Sequence, residues 1–118
     1  MFVKQISAVA KEEVKAGTKT FRQVLISSTE APNFAMRKFS IAPGGGMPMH
    51  TNTVEHEQLV LSGNADVVIG EQKFVVKKDD VVFIPAGVPH SYTTLGDEPF
   101  EFLCVVPNKI DVVEIIKE

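Results

Sequence analysis

The chain has 118 residues, of which 44% are hydrophobic and 23% charged, and its net charge is −3 at pH 7. These values are ordinary for a globular protein, and neither sign of charge clusters, which argues against a nucleic-acid-binding surface or a polybasic membrane patch. No apolar run is long enough for a membrane span and no signal-peptide pattern opens the sequence, so we expect a cytoplasmic protein.

Short runs rich in Val, Ile and Phe, separated by Gly, Pro and Asp, predict β-strands along most of the chain. The predicted strands cover residues 20–26, 34–41, 58–61, 65–69, 73–76, 80–84, 90–94, 100–106 and 112–116. Breaks are predicted at 43–46 and Pro48, tight hairpin turns at 62–64 and 70–71, and longer turns at 85–89 and 96–99. Only residues 8–14 have a pattern compatible with a helix.

Many short strands at this spacing favour a sandwich or a small barrel. No change of composition marks a boundary, so we expect one all-β domain over residues 1–118. The terminal strands offer sheet edges that could pair with a neighbouring subunit.

The three histidines of the chain, His50, His56 and His90, all lie beside turns rich in Gly and Pro. Three imidazoles on rigid strands can hold one face of a metal ion and leave the other face open for substrate. Alternate residues of a strand point the same way, so Asn52 shares a face with His50 and could aim its amide at the same ion. The spacing alone leaves both a metal site and ordinary histidines open.

Two motifs, in order, resemble those of the cupin family. In the first, Gly44 is followed after five residues by His50-x-Asn52, after three more by His56, and after six more by Gly63. His56 is flanked by glutamates on both sides, as in small single-domain cupins whose metal site has four histidines.

In the second motif, Asp79 is followed after five residues by Pro85-Ala86-Gly87, after two more by His90, and after three more by Thr94. The stretches at 31–34 and 101–104 also resemble the four-histidine subgroup. Asp79 and Thr94 replace the glycine and asparagine of the family pattern, which changes turn chemistry.

The resemblance covers about residues 20–107 and implies the cupin double-stranded β-helix, or jelly-roll, barrel. It implies one divalent transition metal, Mn, Fe, Ni, Cu or Zn, bound by His50, His56 and His90, and it implies a homodimer. Asn52 stands where the family has another histidine. An amide oxygen is a weaker and harder donor than imidazole, so Asn52 could bind the ion, hold a metal-bound water, or leave a vacancy.

The alternation of strand side chains also predicts the wall of a substrate pocket. The candidates are Gln58, Tyr92, Phe102, Cys104 and Met36, with Met47 and Met49 as further edge residues. Each has an ordinary alternative role in packing. The lone cysteine excludes an internal disulfide framework and a cysteine-based zinc cluster.

Ligands that are all neutral leave a divalent ion its full charge, which favours an anionic partner in the open position. The first hypothesis is therefore a metal-dependent oxygenase, isomerase or lyase acting on a small organic, anionic substrate. The alternative is a non-catalytic small-molecule- or metal-binding module, and a third reading is a metal-free barrel that serves association. No separate nucleophile or acid–base pair is evident in the sequence.

Overall fold

The structure is a computed structural model that describes residues 1–116. One turn of 3-10 helix, Ile6–Ala8, precedes ten β-strands, and the described chain contains no α-helix. The strands are β1 (Glu12–Glu13), β2 (Thr18–Ile26), β3 (Phe34–Thr51), β4 (His56–Ser62), β5 (Asn64–Ile69), β6 (Gln72–Lys77), β7 (Val81–Ile84), β8 (His90–Leu95), β9 (Phe100–Pro107) and β10 (Glu114–Ile115). Within these residues, no helix has the length and apolarity needed to cross a membrane.

The strands pair antiparallel in the order β6-β5-β8-β3-β9-β4-β7, with β2 and β10 also paired to β3 and β1 to β2. The first half of β3 pairs with β2 and β9, and its second half pairs with β8 and β10. One long strand thus belongs to both walls of a curled sheet, and the predicted all-β jelly-roll architecture is confirmed.

The predicted interruptions at residues 43–46 and at Pro48 are wrong, because the 18-residue strand β3 runs through both. The glycines bend the strand instead of ending it, and Gly44 has a φ of +82° that L side chains rarely adopt. At Gly46 the backbone lies so close to the Tyr92 carbonyl that a Cβ would overlap it. This close approach holds the second half of β3 against β8.

Two further local predictions are wrong. Residues 62–64 do not form a hairpin: β4 pairs with β7 and β9, whereas β5 pairs with β6 and β8, so the chain crosses between walls there. Residues 8–14 do not form a helix, because the side-chain amide of Gln23 donates to the carbonyls of Ile6 and Val9 and fixes that segment across β2. The hairpin at 70–71 is confirmed by the pairing of Ile69 with Gln72.

The interior of the barrel is apolar at one end and polar at the other. Ile41 and Phe100 face each other across β3 and β9 and are almost fully buried. Phe102 stacks on this core, with its ring centre 5.2 Å from the rings of Phe100, Tyr92 and Phe39. The aromatic layer forms the floor of the cavity that the polar end encloses.

Candidate metal and substrate site

A cavity of about 530 Å³ occupies the polar end of the barrel. Its size lies within the usual range for small-molecule sites, about 300–1,000 Å³. Its walls come from β1, β2, β3, β4, β8 and β9, from the loop between β1 and β2, and from the segment that leads into β10. The lining residues are Glu13, Val14, Lys15, Ala16, Arg22, Arg37, Phe39, Met47, His50, Asn52, His56, Gln58, His90, Tyr92, Phe102, Asp111 and Val113.

The three histidines meet in this cavity from three strands. His50 on β3 is the direct cross-strand partner of His90 on β8, and their ring centres are 4.2 Å apart. The ring of His56 on β4 lies 5.7 Å from that of His90. All three are buried, at 5%, 6% and 1% exposure for His50, His56 and His90.

Each imidazole is held through its Nδ1 atom. Nδ1 of His50 is 2.7 Å from the Pro48 carbonyl, and Nδ1 of His90 is 2.9 Å from the Val88 carbonyl. A carbonyl can only accept, so in these two rings Nδ1 donates and a neutral ring keeps its lone pair on Nε2. Such a contact orients a metal-binding histidine and fixes its tautomer.

Three buried atoms on the cavity wall that can accept a hydrogen bond have no partner within residues 1–116: Nε2 of His56, Nε2 of His90 and Oδ1 of Asn52. The orientation of Asn52 follows from Asp111, whose Oδ2 lies 3.0 Å from the amide nitrogen. A carboxylate accepts only, so the amide NH₂ must face Asp111 and the carbonyl oxygen is left over. Unsatisfied buried acceptors are costly, and all three are atoms that divalent metals bind.

His56 and His90 are held in the neutral form that binds metals. Burial lowers the pKa of His56 to about 3, assisted by the positive charge of Arg37. Burial also lowers the pKa of His90 to about 4, against the opposing effect of its Val88 hydrogen bond. A proton is therefore absent from their lone pairs at neutral pH, and metal binding need not displace one.

The histidines do not by themselves form a finished metal site. Among residues 1–116, no three or more His, Cys, Asp or Glu side chains already stand in a metal-binding arrangement. Asn52 is not such a side chain, so the candidate donor set is three imidazoles plus an amide.

Three of the predicted pocket residues, Gln58, Tyr92 and Phe102, line the cavity. The amide of Gln58 donates to the Tyr92 hydroxyl at 2.7 Å, and burial raises the pKa of Tyr92, which stays a neutral phenol. Cys104 is fully buried behind the wall, with its sulfur 3.2 Å from Nδ1 of His56. It contacts a candidate ligand and not the cavity itself.

The prediction for Met36 requires correction. It lies in a different groove, with Leu25, Leu103 and the N-terminal segment 2–9. Met36 is an even-numbered residue of β3, whereas the inward-facing residues of that half are odd-numbered, such as Ala35 and Ile41. Of the other methionines considered, Met47 lines the cavity.

Five charged residues of the wall were missed from the sequence: Glu13, Lys15, Arg22, Arg37 and Asp111. Arg37 carried a usable signal, because it alternates with Phe39 and Ile41 on one face of a predicted strand. Asp111 carried none, because only the folded chain brings it to Asn52 from 59 residues away.

With the fold and cavity established, comparison with known proteins places the chain: it belongs to the cupin family. The family's cupin-domain model matches residues 37–106, more than half of the chain. That range includes His50, His56 and His90.

Among solved structures, the polyketide cyclase RemF from Streptomyces resistomycificus superposes with a TM-score of 0.92 at 28% identity, covering 100% of this chain and 87% of that one. A cupin-2 domain from Rhodospirillum rubrum gives a TM-score of 0.80 at 28% identity, covering 93% and 74%. Both barrels are similar to this one over nearly its whole length.

Two curated relatives have different activities. The chain is 26% identical to 1-methylthio-D-xylulose 5-phosphate methylsulfurylase of Rhodospirillum rubrum, over 92% of this chain and 69% of that enzyme. It is 32% identical to mannose-1-phosphate guanylyltransferase of Klebsiella pneumoniae over 63% of this chain, but it spans only 16% of that enzyme. Similar barrels thus occur in enzymes of unlike chemistry, so function must be argued from the site.

Proposed function

We propose that the cavity binds one divalent transition metal through Nε2 of His50, His56 and His90, and that the protein is a metal-dependent enzyme for a small organic anion. The observation that carries this proposal is the set of orphaned donors. Nε2 of His56, Nε2 of His90 and Oδ1 of Asn52 are buried on one cavity wall without partners. The Nδ1 contacts turn the rings of His50 and His90 in the sense that Nε2 ligation requires.

Neutral ligands leave the ion its charge, so when bound it would supply Lewis acidity to an anionic substrate. Oxygenase, isomerase and lyase reactions remain the candidate classes. The similarity to a polyketide cyclase and to a methylsulfurylase supports an enzyme of organic substrates without selecting a reaction. The metal is one of Mn, Fe, Ni, Cu or Zn; a cytoplasmic location and a homodimer remain predictions from the sequence.

A non-catalytic metal- or ligand-binding protein is the second candidate. Two observations favour it: Asn52 occupies the position of a family histidine, and the described histidines, cysteine and acidic residues do not alone form a metal site. Weak or exchangeable metal binding follows from both and would suit a binding module.

Elemental analysis of the purified protein tests the metal site. Wild type should contain close to one equivalent of a transition metal, and His50→Ala and His90→Ala should each lose most of it. Glu57→Gln is the matched control, because Glu57 is exposed on the outer face of β4 beside His56. Metal content that survives both histidine substitutions would overturn the assignment.

Turnover separates the two candidates. Metal-loaded wild type is screened for oxygen uptake and for conversion of a panel of carboxylates and phenols, with His90→Ala as the metal-deficient control. Conversion that depends on His90 supports the enzyme, whereas binding without conversion across the panel supports the binding module.

A further inference from the structure

Arg37 is a half-buried arginine on the wall of the cavity. It lies on β3 with its side chain on the inward face shared with Phe39 and Ile41, and it lines the cavity. Its guanidinium carbon is 5.1 Å from the centre of the Phe39 ring, and Nη2 donates to the Cys104 sulfur at 3.5 Å. Stacking and a sulfur contact fix the position of the charge without neutralising it.

Nothing within residues 1–116 pairs with this charge. The ion pairs of the described chain join Lys4 to Glu30, Arg22 to Glu12, Lys38 to Glu101 and Lys73 to Asp66, and none includes Arg37. In addition, Nε of Arg37 is buried and has no hydrogen-bond acceptor. A charge that is partly removed from water is costly unless it is paired.

Arg22 places a second guanidinium on the same wall. It pairs with Phe39 across β2 and β3, one step diagonally from Arg37, and its Nε is also buried without an acceptor. Its contact with Glu12 is long, at 3.8 Å, and solvent-exposed, so it contributes little. The two carboxylates of the cavity wall belong to Glu13 and Asp111, and Asp111 is bound to Asn52 and to the backbone of Thr53.

We propose that Arg37, assisted by Arg22, is an oxyanion-binding subsite that receives the carboxylate or phosphate head group of a small organic ligand. A planar guanidinium binds such groups with two parallel hydrogen bonds, and the unpaired Nε supplies one of the donors. The apolar floor of Phe39, Phe102 and Tyr92 would receive the body of the ligand. The inference deepens the proposed function. It rests on that proposal for the reactive end of the ligand, which would lie beside the three histidines.

Anion binding to metal-free protein tests this subsite. Benzoate and phenyl phosphate are titrated into the protein in the presence of EDTA, and neutral benzamide serves as the uncharged probe. Calorimetry and NMR of the arginine Nε–H signals measure the binding. Wild type should bind at least one anion at least tenfold more tightly than benzamide, with a shift of the Arg37 Nε–H signal. The preferred anion tells whether the head group is a carboxylate or a phosphate.

Variants distinguish recognition from packing. Arg37→Gln should weaken anion binding at least tenfold. Lys38→Gln should change it less than twofold, because Lys38 is the next residue of β3 and pairs with Glu101 away from the cavity. Arg37→Lys keeps the charge but loses the two parallel hydrogen-bond donors of the guanidinium, so it should retain part of the binding. It replaces Arg37→Gln as the test variant if Arg37→Gln does not fold.

The proposal is overturned if neither anion binds wild type, if benzamide binds as well, or if folded Arg37→Gln or, when that variant does not fold, Arg37→Lys binds like wild type. If anion binding depends on Arg37 but elemental analysis finds no metal in protein purified without EDTA, the subsite stands and the proposed function falls. If metal binding depends on the histidines but neither anion binds, the metal site stands and the anion subsite falls.

Discussion

The Cys104 sulfur lies 3.2 Å from Nδ1 of His56, inside the barrel and out of reach of solvent. His56 is the one candidate ligand whose Nδ1 meets a side chain instead of a backbone carbonyl. For Nε2 of a neutral His56 to bind a metal, Nδ1 must carry the ring proton and donate a hydrogen bond to the sulfur. Arg37 and Gln58 also donate to that sulfur, so it is surrounded by hydrogen-bond donors.

Removing this sulfur should weaken metal binding through His56. Cys104→Ala leaves Nδ1 without a partner and should lower metal affinity about 10- to 100-fold, the usual cost of losing such a contact. Cys104→Ser keeps an acceptor and should restore part of the affinity. Competition with a metal-binding dye measures both, and equal affinities for wild type and Cys104→Ala would show that the contact is packing only.

Asn52→His should strengthen metal binding. The Asn52 side chain lines the cavity and its Oδ1 is free of protein partners in the described chain, so a histidine there would supply a fourth imidazole, a better transition-metal donor than an amide. We expect affinity for zinc to rise by about tenfold or more. Thr51→His is the control, because alternation turns residue 51 to the other face of β3; a gain for both variants, or for neither, contradicts a role for position 52.

Asp111 should act on metal binding through Asn52. It fixes the amide so that Oδ1 is turned away from the carboxylate, and Asp111→Ala should lower zinc affinity by about tenfold. The same substitution in an Asn52→Ala background should cost almost nothing, because the two effects share one contact. Glu114→Ala, in the same tail but exposed, should bind zinc like wild type; additive losses at 52 and 111 would mean that Asp111 acts elsewhere.

The metal-free protein should lose stability in acid. His56 and His90 have pKa values of about 3 and about 4 when folded, below the ordinary 6.5. Between pH 6.5 and about 4 the unfolded chain therefore binds more protons, and the free energy of unfolding falls as pH falls, by a total on the order of a few kcal/mol. Urea unfolding at several pH values measures this, and the double variant His56→Gln/His90→Gln should lose most of the slope; an unchanged slope would place the acid sensitivity elsewhere.

Most strands could be predicted because they are runs rich in Val, Ile and Phe that Gly, Pro and Asp separate. The failures lie where tertiary contacts decide. Residues 43–46 look like a chain break, yet the Gly46 backbone packs on Tyr92 and the strand continues. Residues 62–64 look like a hairpin, and only the pairing of β4 with β9 shows the crossing between walls.

Part of the site could be predicted from the sequence. The family motifs singled out His50, His56 and His90, and alternation found Gln58 and Tyr92 beside them. The partners of these residues were not predictable, since Asp111 and Asn52 meet only through the path of the C-terminal segment. The prediction that Met36 lines the pocket was wrong because the sequence does not show which face of β3 turns inward.

The position of a bound ion tests the central claim most directly. Crystals of the protein grown with zinc and measured at the zinc absorption edge would locate the ion by its anomalous signal. We predict a single strong peak in the cavity within bonding distance of Nε2 of His50, His56 and His90, with the Asn52 side chain facing it. A zinc peak elsewhere on the protein, or none while the three Nε2 atoms remain without ligands, would contradict the account.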